Sequence, residues 1–307
     1  MCRDGRGWAL AIGVVVALRA LPAAGQACCA GAALVNPARL ALHDDFSLGL
    51  QARVRTDLGS FDPSGRYIGS STEQDFEQDL AGSVRLTERA QAGAVVPLVE
   101  TRRLESGVPS WGSGLGDLAF NARYDFVYPT EALYWPGFGL MADLLVPTGK
   151  PVGEGTNPSS TDATGTGTYN LSLGIELQKV DGPFYFMLDG WLTYCWSRTV
   201  LITGSPPLTT SFPLQWTALG VAGYVFPNEA AVGLYANVLV RGDNTLNGAL
   251  QPGSGLRLTT IGLSGVLPIH DVWRVQGSLF SDVLISSFGQ NELGGAGVSA
   301  ALVRVWM

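Results

Sequence analysis

The sequence predicts an all-β fold: an up-and-down antiparallel transmembrane β-barrel of about 12 strands, with short periplasmic turns and long extracellular loops. Three observations carry this reading. Two-residue alternation recurs along the chain, and beyond residue 21 no apolar run approaches the ~20 residues of a membrane-spanning helix. Connections alternate short and long through an even number of strands. Aromatic residues fall at both ends of the apolar faces.

Composition agrees. A chain of 307 residues fits a single barrel. It holds 40 glycines, 15% charged residues and only two lysines, Lys150 and Lys179. With a mean hydropathy of +0.20 and no helical spans, the apolar residues have to sit on strands.

The N-terminus reads as an export signal over residues 1–27. Arg3 and Arg6 precede an apolar run from Trp8 to Leu18, and Gly25 and Ala27 occupy the −3 and −1 positions of a cut before Cys28. Gly25 and Gln26 depart from the pattern that precedes a lipidated cysteine. Removing this segment takes away Arg3, Arg6 and Arg19 against Asp4, so the formal charge of −7 becomes more negative and argues against a nucleic-acid partner. Cys2 leaves with the signal, Cys28 and Cys29 open the mature chain, and Cys195 falls in a strand. No Cys or His spacing suits a metal, and no cofactor is expected.

A leader over residues 28–45, containing His43, precedes the barrel expected over residues 46–307. The first strand, Phe46 to Asp57, sets Phe46, Leu48, Leu50 and Val54 against Ser47, Gln51, Arg53 and Arg55. A loop from Leu58 to Glu73 leads to a second strand with Phe76, Leu80 and Val84 opposite Glu77, Asp79, Ser83 and Arg85. Thr87 to Arg89 turns into strand three, Ala90 to Val99, and a long loop is expected from Glu100 to Gly116.

The fourth strand shows the clearest alternation, with Asp117, Asn121, Arg123 and Asp125 on one face and Leu118, Phe120, Tyr124 and Phe126 on the other. Strand five, Gly137 to Val146, ends in Pro147-Thr148-Gly149. The next loop, Lys150 to Thr168, is so rich in Gly, Thr, Ser and Asn that mobility is expected. Strand six, Tyr169 to Gln178, is followed by the hairpin signal Asp181-Gly182. Further strands are expected over Phe184–Trp196, Leu214–Phe226, Ala230–Arg241, Leu256–Leu267, Trp273–Ile285 and Ala296–Met307.

This register places Phe46, Phe126, Phe138, Phe184, Phe226 and Trp273 at the short-turn end of the outward faces. Phe76, Tyr169, Trp196 and Trp216 lie at the long-loop end, so two aromatic girdles result. The inward faces hold Arg53, Arg55, Glu77, Asp79, Arg85, Asp117, Asn121, Arg123, Asp125, Asp143, Glu176 and Asp189. These residues read either as the wall of a polar pathway or as a self-neutralising network that fills a narrow barrel.

Catalytic residues are not expected. The two histidines are His43 in the leader and His270 in the turn Pro268-Ile269-His270-Asp271, and no GxSxG elbow accompanies them. Gly112 to Asp117 makes no dinucleotide site, since no helix follows to receive a phosphate.

Gly114-Leu115-Gly116-Asp117-Leu118 leading into Arg123-Tyr124, with Leu145-Val146-Pro147-Thr148-Gly149 closing the next strand, resembles the outer-membrane transporter family named for the MetA pathway of phenol degradation. The resemblance implies a channel in the outer membrane of a Gram-negative-type bacterium, admitting a small aromatic or hydrophobic solute, and supplies no catalytic residues. Val305-Trp306-Met307 departs from the terminal Phe or Tyr common on such barrels. The expected partners are the lipid bilayer and a small-molecule solute. A closed barrel with a structural or surface-interaction role is the alternative, and a barrel-embedded hydrolase is a third reading.

Overall fold

The computed structural model describes residues 39–69, 73–105, 108–131, 134–151, 154–200 and 207–307, so the expected signal segment and Cys28 lie outside the described residues. The wall consists of 12 antiparallel strands. In chain order these are β1 (Phe46–Phe61), β2 (Gln74–Arg85), β3 (Ala90–Glu105), β4 (Leu118–Val127), β5 (Gly137–Val146) and β6 (Asn170–Asp181). They continue as β7 (Phe184–Cys195), β8 (Gln215–Val225), β9 (Ala231–Arg241), β10 (Leu256–His270), β11 (Trp273–Asp282) and β12 (Leu293–Trp306). Each strand pairs with its neighbours in sequence, and β12 returns to β1 in a register running from Phe46 opposite Trp306 to Ser60 opposite Leu293. Closure leaves the wall without an edge, as a bilayer requires when it offers no water to unpaired amides.

Burial is inverted relative to a water-soluble protein. Leu50, Leu80, Phe120, Leu173, Leu188, Leu234, Leu263 and Leu279 are exposed on the outer surface. Ser47, Ser83, Arg123, Glu176, Ser264 and Gln276, on the opposite face of their strands, are buried. An apolar exterior over a polar interior is the arrangement that lipid selects.

Four loop expectations need correction. Glu100 to Gly116 is not a loop: β3 runs on to Glu105, and Val108–Leu115 pairs back along Leu98–Glu105 as a hairpin above β4. Lys150 to Thr168 is not a loose tract, because hydrogen bonds described below hold it to that hairpin. The connections that the expected strands leave over Ser197–Pro213 and Gly242–Gly255 are expected as long loops, yet they include short strands, Arg198–Val200, Leu208–Ser211, Thr245–Leu246 and Ala249–Leu250, which join in a small separate sheet. Alternation could not reveal these extensions, since strands standing beyond the bilayer need no greasy face. The wall strands also depart from their expected ends: β1 reaches Phe61, β11 stops at Asp282 and β12 begins at Leu293.

Aromatics inside the barrel lie against glycines of the neighbouring strand. Trp191 covers Gly174, Tyr235 covers Gly262, and Phe280 covers Gly297, each pair being directly opposite in register. A side chain at any of these glycines would occupy the space of the ring. The pairs fit the use of aromatics to shield strand glycines, and they keep large rings out of the centre of the lumen. Gly262→Val should therefore displace Tyr235 and lower the thermal midpoint of the heat-modifiable band in gels, by an overpacking cost of about 1–3 kcal/mol.

Candidate functional site

The inward charges of the described residues converge on the lumen, and its wall differs in chemistry from one part to another. On β7 to β10, Tyr185, Met187, Val221, Val225, Ala231 and Val266 form a buried apolar cluster, with Leu219 and Tyr235 packed on it. The expectation of a uniformly polar lining misses this wall. Its strands do not alternate cleanly, because both of their faces are apolar.

Ions adjoin this apolar wall, beginning on the neighbouring strand. Arg123 on β4 donates to Asp125, at 2.9 Å from Nε, and its Nη1 lies 2.7 Å from Glu176 on β6. Glu176 is only 1% exposed and receives a second cation, Arg39, at 2.7 and 2.8 Å. Gln178 also donates to it. Two guanidinium groups around one carboxylate offset the desolvation of all three.

Arg39 belongs to the leader, whose described residues, 39–45, fold into the short-turn mouth. Asp44 accepts a bidentate pair from Arg274 on β11 at 2.6 and 2.8 Å. Arg85 donates to the carbonyls of Asp44 and Ala41, and the Asp45 amide donates to the Trp306 carbonyl at 2.7 Å. Leu40 and Ala41 are buried. A pocket of about 30 Å³ lies between this segment and the wall, beside Arg85, Gln91, Arg123 and Asp125.

Arg53 pairs with Glu77 beside Asp79, while Asp189 stands opposite Glu176 in register and so belongs to the Arg39–Arg123 cluster. Asn121 stands opposite Asp143 in register. Higher up, Arg55 bridges Asp57 at 2.8 Å and Asp282 at 3.0 Å. Carboxylate oxygens of Asp57, Glu73 and Asp75 approach within 4.8 Å of one another there. Arg55, Arg103 and Thr101 already engage them, so the donor set favours an ion-pair cluster over a metal centre.

At the outer end Asp117 does not face open lumen. It accepts from the Gly149 amide at 2.9 Å and from the amide and hydroxyl of Thr166, each at 2.7 Å. Thr148 accepts from the Leu118 amide at 3.0 Å and donates to the Gly116 carbonyl at 2.8 Å. The two segments that carry the family resemblance thus interlock. Ser110, Gly112 and Gly114 receive the loop on the inner face of the hairpin. The Ser110 and Thr161 hydroxyls lie 3.1 Å apart, Thr164 donates to the Leu115 carbonyl at 2.6 Å, and a side chain at Gly112 would overlap the Thr161 backbone. Within the loop, Lys150 and the amides of Thr156 and Asn157 hold the Asp162 carboxyl well below the usual carboxylate range.

The girdle residues occupy the rims of the outer surface. Phe126 stacks on Phe138 at 5.5 Å, Phe184 meets Tyr224 at 5.5 Å, Tyr224 meets Phe226 at 5.0 Å, and Phe46 meets Trp306 at 5.0 Å. Arg304 lies over Trp273 and Trp306. At the other rim Tyr169 meets Trp196 at 6.2 Å, Phe76 stacks with Trp111 at 6.5 Å, and Trp216 is exposed. His270 ends β10 and is exposed, as is His43. Sequence reasoning missed Arg39, Asp44, Arg274 and Asp282. The last two continue the inward alternation of β11, but nothing local marks the leader residues as lumenal.

No protein-family model matches the chain, and no curated protein matches it. Among solved structures, the COG4313 outer membrane channel from Pseudomonas putida F1 is similar over 87% of this chain and 97% of its own, at 15% identity and a TM-score of 0.70. The NanC porin aligns at 9% identity over 85% of this chain and 100% of its own, with a TM-score of 0.46. The CymD monoaromatic hydrocarbon channel aligns at 9% identity over 86% of this chain and 89% of its own, with a TM-score of 0.41. The first likeness shows a shared fold, a barrel of the outer-membrane type; the other two are too distant to bear on this chain.

Glu176→Gln should leave Arg39 and Arg123 short of counter-charge and cost about 3–5 kcal/mol in urea unfolding from micelles, more than Arg39→Ala. Asp117→Ala strands three donors and should open the Lys150–Thr168 loop to proteases. Because the folded loop favours charged Asp162, its contribution is in place above the ordinary carboxylate range and fades only as pH falls through the lowered value. Pepsin digestion at about pH 4 should accordingly find the loop still protected.

Proposed function

We propose that the protein is an outer-membrane channel that passes a small solute along its lumen, with the leader acting as a plug at the periplasmic mouth. The observation that carries this reading is the two-sided lumen: an apolar lane through Leu258, Leu239, Leu219, Val221 and Val225 faces a charged wall through Arg53, Glu77, Asp79 and Asp143. A barrel serving only as scaffold gains nothing from separating its interior into two chemistries. A lane of this kind suits a solute with an apolar or aromatic body, in keeping with the resemblance carried by Gly114–Leu118 and Leu145–Gly149. Export by the signal segment over residues 1–27 and insertion in the outer membrane follow from the same reading.

The plug is held by polar contacts rather than by a packed apolar core. Arg39, Asp44 and the Ala41 carbonyl are its anchors, and each is partly compensated by groups that water could replace. Release at the mouth therefore costs less than opening the wall. The small pocket at the plug favours one other reading, a barrel that stays closed and works through its outer hairpin and loops.

Planar bilayers separate the two. A channel should conduct in discrete steps, and a chain lacking residues 39–45 or carrying Arg274→Ala should conduct several-fold more. A correctly folded, heat-modifiable barrel that stays silent in both forms would sink the channel reading.

A further inference from the structure

Cations at the short-turn rim are mostly answered within the protein. Arg89 pairs with Glu131, Arg274 with Asp44, and Arg85 with backbone carbonyls of the leader. Arg304 on β12 is not. It is exposed and shares the outward face with Leu302 and Val298, while Val303 and Val305 on either side of it are buried. No hydrogen bond or ion pair reaches its guanidinium among the described residues. A full charge thus stands on the surface that meets lipid, where charge is disfavoured unless a group at the headgroup level receives it.

Its surroundings are built around it. The guanidinium carbon lies 4.6 Å from the ring centre of Trp306 and 5.8 Å from that of Trp273. Trp273 is opposite Arg304 across the β11–β12 pair, and Trp306 meets Phe46, its partner across the seam, at 5.0 Å. Backbone bonds from the Asp45 amide to Trp306 and from the Val305 amide to Val272 fix both segments that carry the indoles. Rings against a guanidinium hold it by cation–π attraction and leave its fork of N–H groups for an oxyanion, which a phosphate fills with parallel bonds. Deeper in the membrane the same strands continue with Leu302 between Leu50 and Val275, then Ala300 between Ala52 and Gly277. The second of these rows lacks bulk, so the outer surface is low there and a hydrocarbon chain can lie along it.

Resting on insertion in the outer membrane, we propose that Arg304, Trp273 and Trp306 bind the phosphate of an anionic phospholipid in the leaflet on the short-turn side, with an acyl chain over Leu302 along the β1–β12 seam. A zwitterionic headgroup carries the same phosphate beside a cation that the arginine repels, so net charge decides between lipids. Bound there, the lipid touches strands from both ends of the barrel sequence. It therefore strengthens the closure of the ring.

Native mass spectrometry of the folded full-length barrel makes the test, in neutral detergent doped with phosphatidylglycerol, phosphatidylcholine or diacylglycerol. One phosphatidylglycerol should stay bound, at least about tenfold more tightly than either of the others. Arg304→Gln should weaken it by about tenfold, Arg304→Lys by less, and Arg89→Gln not at all. Phosphatidylglycerol should also raise the thermal midpoint of the heat-modifiable band in the parent barrel and not in Arg304→Gln. If Arg304→Gln fails to fold, Trp273→Leu should weaken binding in its place. Equal retention of diacylglycerol, unchanged retention by Arg304→Gln, or an equal loss in Arg89→Gln would overturn the proposal. Full competition by inorganic phosphate at matched concentration would assign the site to a free ion and overturn it too. A parent barrel that does not float with vesicles overturns the membrane reading and the site together, whereas one that floats and holds no phosphatidylglycerol overturns the site alone.

Discussion

Hydrogen-bond closure between β1 and β12 is the constraint on which the rest depends. In a hydrocarbon medium every strand amide must find a partner within the wall, and only a ring gives each strand two neighbours. Closure fixes the alternation, since a one-residue slip would turn Arg53 and Glu176 toward lipid and Leu50 and Ile175 toward the lumen. It also forces all inward side chains to share one limited volume. The ion pairs, the aromatic–glycine pairs and residues 39–45 of the leader share that volume.

Charge inside such a wall is tolerable only where it is answered. Glu176 is answered twice, Asp44 by Arg274, and Asp57 and Asp282 by the single guanidinium of Arg55.

Much of this was legible in the sequence because lipid imposes a short-range rule. The alternation of Leu118, Phe120 and Tyr124 with Asn121, Arg123 and Asp125 fixes the face of β4 from neighbours alone, and the same holds for β1, β5 and β6. The rule weakens at β8 and β9, where Val221, Val225 and Ala231 point inward beside outward Ala222 and Leu234, so the apolar lane could not be told from lipid-facing surface. It is silent above the membrane. Val108–Leu115 and the Lys150–Thr168 loop are held by hydroxyls, glycines and Asp117, whose partners lie far away in sequence. Arg39 looked like any residue of a polar leader; its role depends on Glu176, 137 positions along the chain.

That separation has a consequence for how the molecule is assembled. The leader is made first, yet Arg39 needs β6, and Asp44 needs Arg274, 230 positions later. Its anchors do not coexist until the penultimate strand has taken its place. Contacts of such long range form late, after the chain entropy between them has been spent. The segment nearest the start of the barrel is thus the last to settle, and its docking is a record that the ring behind it has been built correctly.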